Sequence, residues 1–310
     1  MNNHTDGQPM HVVNWAGIAG SWSFGERQAR YEGPSKGEGA PYGLALSDVQ
    51  LRDGTVRARI ALSVLEDTTG GIVLGFQSGS APYIIVQLGS SEFAYALAVF
   101  DLAVGWRALT AVGSIANLQA DRPYAVEVAQ QGQRISLAVN GVRIFDEILP
   151  SPLPGNQVGL FGWGKAPVLF QEVTVRSERP RAFVAMPFSE PFETMYREVI
   201  KPEAERLGFD VVRIDDIARP GIIFEDIKRE IAEAKAVIAE ITAPNQNVFY
   251  ELGYAHALNK PTVLLARRGV EPLPFDIRSY RVIFYDDSIA GKPLVERNLA
   301  KHLNAILREG

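Results

Sequence analysis

Asn245-Gln246-Asn247-Val248-Phe249-Tyr250-Glu251 is the stretch of this chain best suited to chemistry. It follows the apolar run Ala236-Val237-Ile238-Ala239-Glu240-Ile241-Thr242. That run reads as a buried strand and the asparagine-rich piece as a loop entering a helix. A loop at the carboxyl end of a strand is the usual ligand position in an open α/β sheet. With Asn247 as the helix N-cap, Glu251 is expected in the first turn, where the helix N-terminus would lower its pKa. A carboxylate there can serve as a nucleophile, or it can simply suit the helix dipole. Asn245 and Asn247 can hydrogen-bond ribose hydroxyls or cap the helix. Tyr250 can wall a pocket or pack in the core. Phe188 closes an earlier strand and can stack on a base or staple the next helix. Arg213, Asp215 and Asp216 end another strand, where ribose or phosphate contacts are made in doubly wound folds.

The elements that must hold these residues are legible as strand–helix alternation. Strands are expected at residues 183–186, 209–214, 237–241, 262–266 and 281–285. Helices are expected at 192–207, 222–234, 248–258 and 293–307, with Gly208 as a C-terminal cap. This alternation predicts a parallel sheet covered on both faces, of flavodoxin-like α/β type. No P-loop, no Gly-x-Gly-x-x-Gly and no metal-ligand cluster is present in the pattern.

The first half reads differently. Val56, Ala58, Ile60, Leu62 and Val64 alternate with Arg57, Arg59, Ala61 and Ser63. Similar short runs recur, and Asn140-Gly141 between two apolar runs is a type I′ hairpin signal. Many short strands without a helical stretch predict an all-β sandwich, a jelly roll. Trp15, Trp22, Trp106 and Trp163, with Tyr31, Tyr42, Tyr83 and Tyr95, can build a sugar platform if exposed. Large aromatics dominate sandwich cores, so each is read first as core. Glu66-Asp67 and Asp53 read as turn chemistry. The segment Ser177-Glu178-Arg179-Pro180-Arg181 separates the halves, giving domains at 10–177 and 181–310.

Two resemblances attach to these residues. Asp53-Gly54-Thr55-Val56-Arg57-Ala58, Gly70-Gly71-Ile72-Val73-Leu74-Gly75-Phe76 and Gln157-Val158-Gly159-Leu160-Phe161 resemble the concanavalin-like jelly roll of laminin-G-type modules. That resemblance implies recognition or oligomerisation, with a glycan or a protein as ligand. In the second half, three blocks carry the resemblance: Ala182-Phe183-Val184-Ala185-Met186-Pro187-Phe188, the stretch 227–242, and 245–256. Over residues 181–287 they resemble bacterial TIR-like domains related to nucleoside 2-deoxyribosyltransferases. The resemblance implies that Glu251 attacks, or stabilises charge at, the anomeric carbon of an N-riboside. It implies NAD as substrate rather than cofactor, an antiphage setting and a homo-oligomer. Glu240 stands where such relatives commonly carry aspartate. The alternatives are a deoxyribosyltransferase-like enzyme and a non-catalytic protein that binds a nucleotide signal.

Composition bounds these readings. A 46% hydrophobic and 22% charged chain of net charge −5 is an ordinary globular protein with no overall attraction to nucleic acid or anionic membrane. The absence of cysteine removes disulfides, thiolate nucleophiles and cysteine metal sites. The polar start, Met1-Asn2-Asn3-His4-Thr5-Asp6-Gly7-Gln8-Pro9, lacks the apolar core of a signal peptide, and no run approaches a membrane span. The expectation is a soluble cytoplasmic protein.

Overall fold

The computed structural model describes residues 13–35, 41–78, 82–101, 105–216, 223–242, 245–269, 275–277 and 279–309 of the 310-residue chain. The polar start at Met1 to Pro9 and the expected helix-opening Ile222 lie outside the described residues. The chain divides into two compact units. One comprises Met1–Gln130, Ile135–Glu147 and Leu153–Glu178, and the other Gln131–Arg134, Ile148–Pro152 and Arg179–Gly310.

Fourteen strands build the sandwich among the described residues. The first seven are β1 (Trp15–Ala19), β2 (Ser21–Gly25), β3 (Gln28–Gly33), β4 (Tyr42–Gln50), β5 (Gly54–Leu62), β6 (Thr69–Phe76) and β7 (Tyr83–Ser90). The others are β8 (Phe93–Asp101), β9 (Gly105–Ser114), β10 (Tyr124–Gln131), β11 (Arg134–Val139), β12 (Val142–Ile148), β13 (Gln157–Trp163) and β14 (Val168–Ser177). One sheet has the order β1-β4-β13-β6-β7-β8-β9 and the other β12-β11-β10-β5-β14-β3-β2. Neighbours pair antiparallel, as β5 does with β10 and β14. This is the jelly-roll-like, all-β architecture that the alternating pattern predicts.

Period-two burial explains each sheet. On β5, Val56, Ala58 and Ile60 are buried while Arg57 and Arg59 face solvent. Arg57 meets Glu127 directly across on β10, at 2.7 Å. On β6 the even positions turn to the other sheet: a Cβ on Gly70 would meet Val168, Ile60 and Leu62. The odd positions turn outward, where Val73, Ile85, Leu44, Leu46, Tyr83 and Phe161 form a separate apolar cluster. The Asn140-Gly141 turn has the positive φ values, 50° and 80°, that a type I′ hairpin requires.

The second unit has five parallel strands: β15 (Arg181–Ala185), β16 (Asp210–Val212), β17 (Ala234–Glu240), β18 (Thr262–Arg267) and β19 (Val282–Tyr285). Their order is β16-β15-β17-β18-β19, with all four pairings parallel. That is the flavodoxin-like arrangement, with the chain reversing direction of travel between β15 and β17. Helices cover both faces: α1 (Phe192–Met195), a π turn (Tyr196–Ile200), α2 (Lys201–Arg206), α3 (Ile223–Glu233), α4 (Gln246–Ala257) and α5 (Lys292–Glu309). Ala182, Val184, Ala236 and Ile238 pack with Ile200, Ala204 and Leu299 on one face. Phe183, Ala185, Val237 and Ala239 pack with Ile231, Val248 and Leu252 on the other. No helix among the described residues is long and apolar enough to cross a membrane.

Boundaries shift for local reasons. The strand expected at 209–214 ends at Val212, and Ile214–Asp216 is a 3-10 turn. The helix expected over 192–207 carries the π turn just ahead of Pro202, whose missing N–H cannot serve the carbonyl of Glu198. It ends as predicted at Gly208, φ 93°, with Gly208 and Phe209 N–H groups donating to Glu205 and Ala204 carbonyls.

Tyr31 is fully buried, and its hydroxyl donates to the Gly164 carbonyl at 3.0 Å. A Cβ on Gly162 would lie 2.4 Å from the Tyr31 ring. Gly162→Ala is therefore expected to cost about 1–3 kcal/mol by overpacking. Gly141→Ala meets no atom within 4 Å. Its cost is the backbone conformation alone, about 1 kcal/mol. Urea unfolding of the two variants ranks them. Equal costs would overturn the packing argument at Tyr31.

Candidate functional site

The order of the second sheet creates a crevice. After β15 the chain leaves toward the face carrying α1 and α2, and after β17 toward the face carrying α3 and α4. The two loops separate there and leave a hollow at the strand carboxyl ends. A cleft of about 580 Å³ lies at this point. Met186, Pro187 and Phe188 approach it from β15, Phe224 and Ile227 from α3, and Ile214 from beyond β16. The start of α4 contributes Asn245, Asn247, Val248, Tyr250 and Glu251.

Why Glu251 sits inside follows from helix periodicity. Val248, Glu251, Leu252 and Ala255 are the buried residues of α4, at the i, i+3, i+4, i+7 spacing of an inward stripe. Glu251 thus occupies a stripe position that elsewhere holds an apolar residue. It is 6% exposed. Its carboxyl has no hydrogen-bond or ion-pair partner among the described residues. Burial alone pushes its pKa from 4.5 to about 7.

This corrects two expectations. The N-cap is Asn245, not Asn247: the Asn245 side-chain oxygen accepts from the N–H groups of Asn247 and Val248 at 3.0 and 3.3 Å. The helix starts at Gln246, so Glu251 lies beyond the first turn. The dipole effect fades within that turn, whereas desolvation does not, so the pKa rises instead of falling.

Phe188 and Tyr250 rim the cleft at 54% and 52% exposure. Phe224, which the sequence pattern did not single out, packs its ring 5.5 Å from that of Tyr250. The structure brings Phe188, Asn245, Asn247 and Tyr250 together around Glu251.

It does not bring Arg213, Asp215 and Asp216 to the cleft wall. Arg213 is buried and grips both Asp215 oxygens, at 2.5 and 2.6 Å, and Glu193 at 2.7 Å. Its guanidinium also lies 4.1 Å from the Tyr196 ring centroid and 5.2 Å from that of Phe188. The Tyr196 hydroxyl donates to Asp216 at 2.9 Å. These groups satisfy one another and support the rim through Phe188.

Glu240 is fully buried but differs from Glu251 in being bonded. It accepts from the Thr242 hydroxyl, from the Thr242 N–H and, at 3.1 Å, from the Tyr285 hydroxyl. The Thr242 oxygen in turn accepts from the Arg267 N–H at 2.7 Å. Burial still raises the Glu240 pKa, but the residue ties β17 to β18 and β19 and does not line the cleft. His256 also stays away, stacked on Tyr280 at 4.3 Å. No group of three His, Asp or Glu side chains able to hold a metal occurs among the described residues.

No protein-family model matches the chain, and no curated protein sequence matches it. Solved structures do. A carbohydrate-binding module, CBM66, from Bacillus subtilis is 16% identical, with a TM-score of 0.44, over 53% of this chain and 95% of that one. A Bacillus subtilis protein with a galectin-like fold is 11% identical, with a TM-score of 0.39, over 53% of this chain and 88% of that one. The galectin LEC-6 of Caenorhabditis elegans is 16% identical, with a TM-score of 0.32, over 47% of this chain and 95% of that one. At these identities the likeness concerns chain architecture alone.

The raised pKa of Glu251 has a sign that can be checked. Above pH 4.5 the unfolded carboxyl loses its proton while the folded one keeps it up to about pH 7. Stability therefore falls as pH rises through that window. Glu251→Gln removes the ionisable group, so at pH 8 it is expected to stabilise the protein by roughly 3 kcal/mol, and at pH 4 by almost nothing. Denaturant unfolding at the two pH values measures this. A pH-independent difference would show that the carboxyl is not desolvated.

Proposed function

We propose that the second unit cleaves the N-glycosidic bond of NAD and releases nicotinamide, with Glu251 as the central carboxylate. The observation that carries this reading is a buried carboxyl, without a partner among the described residues, in a strand-end cleft rimmed by Phe188, Phe224 and Tyr250. The aromatic rim suits a flat nicotinamide ring. Among the described lining residues there is no lysine or arginine to neutralise Glu251, so its charge is available to a cation. The nicotinamide ring of NAD supplies one.

The chemistry needs few groups. The C1′–N bond of the riboside breaks and its electron pair passes to the ring nitrogen, so neutral nicotinamide leaves without protonation. Positive charge develops on C1′ and the ring oxygen of the ribose. An ionised Glu251 opposes that charge or forms a transient bond to C1′. Water then adds to C1′, loses a proton and gives ADP-ribose. Asn245 and Asn247 stand at the same cleft with amide groups able to meet ribose hydroxyls. In keeping with the sequence resemblance, the whole chain would be a TIR-like effector of bacterial antiphage defence. Its sandwich would sense a trigger or drive self-association.

One observation favours a second reading. At neutral pH a carboxyl with a pKa of about 7 is partly protonated. That form can protonate a neutral leaving base, as a deoxyribosyltransferase-like enzyme requires.

Purified protein incubated with NAD is expected to release nicotinamide, and Glu251→Gln to reduce release at least about 10³-fold. For the nucleophilic role, kcat/KM rises with pH up to about 7 and then levels, because the ionised form is the active one. A rate that falls through the same range, with base exchange on deoxynucleosides, would select the second reading. NAD binding without release, even at high protein concentration, would leave a nucleotide-binding module and overturn both.

A further inference from the structure

Three exposed large apolar side chains of the second unit, Phe188, Phe224 and Tyr250, stand at one place, the cleft of about 580 Å³ beside Glu251. They come from separate elements: Phe188 follows β15, Phe224 lies in the first turn of α3 and Tyr250 in α4. Exposed apolar side chains scattered singly are ordinary, whereas a gathered patch marks a binding groove. Phe224 and Tyr250 pack at 5.5 Å with their planes tilted by 53°, a corner where α3 meets α4. Phe188 makes no ring contact with either among the described residues, so the cavity that all three line stays open between them. Met186, Ile227 and Val248 add apolar lining.

One carboxyl lines this aromatic space among the described residues. Glu251 is 6% exposed and has no partner among them. Two cations touch the rim, but neither lines the cleft and neither is uncompensated. Arg213 lies 5.2 Å from the Phe188 ring centroid and is held by the two carboxylates of Asp215 and Glu193. Lys228 lies 4.7 Å from the Phe224 centroid and is held by Glu225 at 2.7 Å. No cation lies over the Tyr250 ring among the described residues.

Aromatic ring faces attract a positive charge through their quadrupole, and an unpaired carboxylate attracts it through its full charge. The kind of cation follows from the scarcity of acceptors. A primary ammonium brings three N–H donors. The Asn245 side-chain oxygen is already engaged by the N–H groups of Asn247 and Val248, which leaves few acceptors beside Glu251 in the lining. Donors taken from water without a new partner are costly. A cation with no N–H on its charged nitrogen avoids that cost and presents methyl or ring C–H groups to the aromatic faces.

We propose that this cleft binds organic cations whose charged nitrogen carries no N–H, quaternary ammonium groups and N-alkylated aromatic rings, whether or not a ribose is attached. The inference rests on the proposed role of Glu251 as the carboxylate that meets a cation, and extends it to ligands that have no glycosidic bond to cleave. Recognition then resides in the charge and the aromatic rim, and the sugar decides only whether a bound cation reacts.

The test uses the full chain at pH 8, above the Glu251 pKa of about 7. Choline and nicotinamide methylated on its ring nitrogen are titrated by calorimetry. Beside them run their neutral isosteres, dimethylbutanol and meta-toluamide, in which carbon replaces the charged nitrogen, and ethanolamine as a primary ammonium. Both cations are expected to bind at least about tenfold more tightly than their isosteres, and choline more tightly than ethanolamine. Tighter binding of the ring cation than of choline assigns an N-alkylated ring as the preferred ligand, and the reverse assigns an alkylammonium; either supports the proposal. Glu251→Gln should bring the cations down to the level of their isosteres. Phe224→Leu and Tyr250→Leu should each weaken cation binding about threefold to thirtyfold. The isostere comparison needs no variant, so it holds if a substitution impairs folding. The proposal is overturned if neither cation binds at millimolar concentration, if the isosteres bind as tightly, or if cation binding survives Glu251→Gln unchanged. Cleavage of NAD without binding of either cation would overturn this inference and leave the cleavage reading standing. Cation binding without nicotinamide release would do the opposite.

Discussion

Holding a carboxyl largely out of water without a partner is expensive, and among the described residues of the second unit Glu251 is such a group. Glu251 takes a stripe position on α4 between Val248 and Leu252, where packing against the sheet excludes solvent. The strand order then opens a cleft beside that stripe, because the chain leaves β15 and β17 toward opposite faces. The carboxyl is therefore largely withdrawn from bulk water yet borders a space that a ligand can enter. Core packing on both faces of β15 and β17 supplies the stability that tolerates it.

Other buried charges in this unit are handled differently, and the contrast gives Glu251 its meaning. Arg213 is held between Asp215 and Glu193. Glu230 and Glu233 share Arg181. Lys260 donates to the carbonyls of Ala232 and Ala234, both at 2.6 Å, where α3 gives way to β17. Glu240 has Thr242 and Tyr285. Each is a group whose desolvation is offset by specific bonds, and such groups define structure. A charge left without that offset is retained against the cost of folding, which makes Glu251 the candidate functional group of this unit.

The sequence pattern was most readable where periodicity and local chemistry agree. Alternation on β5 showed the sandwich, Asn140-Gly141 its hairpin and Gly208 its helix cap, because each depends on neighbours in the chain. Asn245 and Asn247 are equally good caps by residue type. Only the path of the loop decides which side-chain oxygen meets the N–H groups of Asn247 and Val248. That two-residue offset moved Glu251 beyond the reach of the dipole and reversed the sign of its pKa shift. Phe224 joins the rim through the packing of α3 against α4, and no local signal announces such a contact. Arg213, Asp215 and Asp216 sit at a strand end as the pattern suggests, but their mutual attraction takes them away from the cleft. Trp106 and Trp22 look alike as residues. Their different surroundings are decided by pairing across strands, which sets Trp22 against Tyr31 and Phe170 and Trp106 against Phe100 and Phe161.

Among the described lining residues no cation stands beside Glu251, and this affects both stability and chemistry. A lysine or arginine in the cleft wall would lower the pKa and remove most of the folding cost. Under the proposed function it would also occupy the position of the developing oxocarbenium or the cationic ring, and would repel it. Such a cation would therefore gain stability at the expense of transition-state stabilisation. With none among the described lining residues, the site keeps its carboxyl partly protonated until a positive charge arrives. Entry of the cationic ring itself would favour ionisation, coupling proton release to binding. A neutral ligand has no such effect, so under the proposed function the same group that burdens the fold would also discriminate between a charged riboside and an uncharged one.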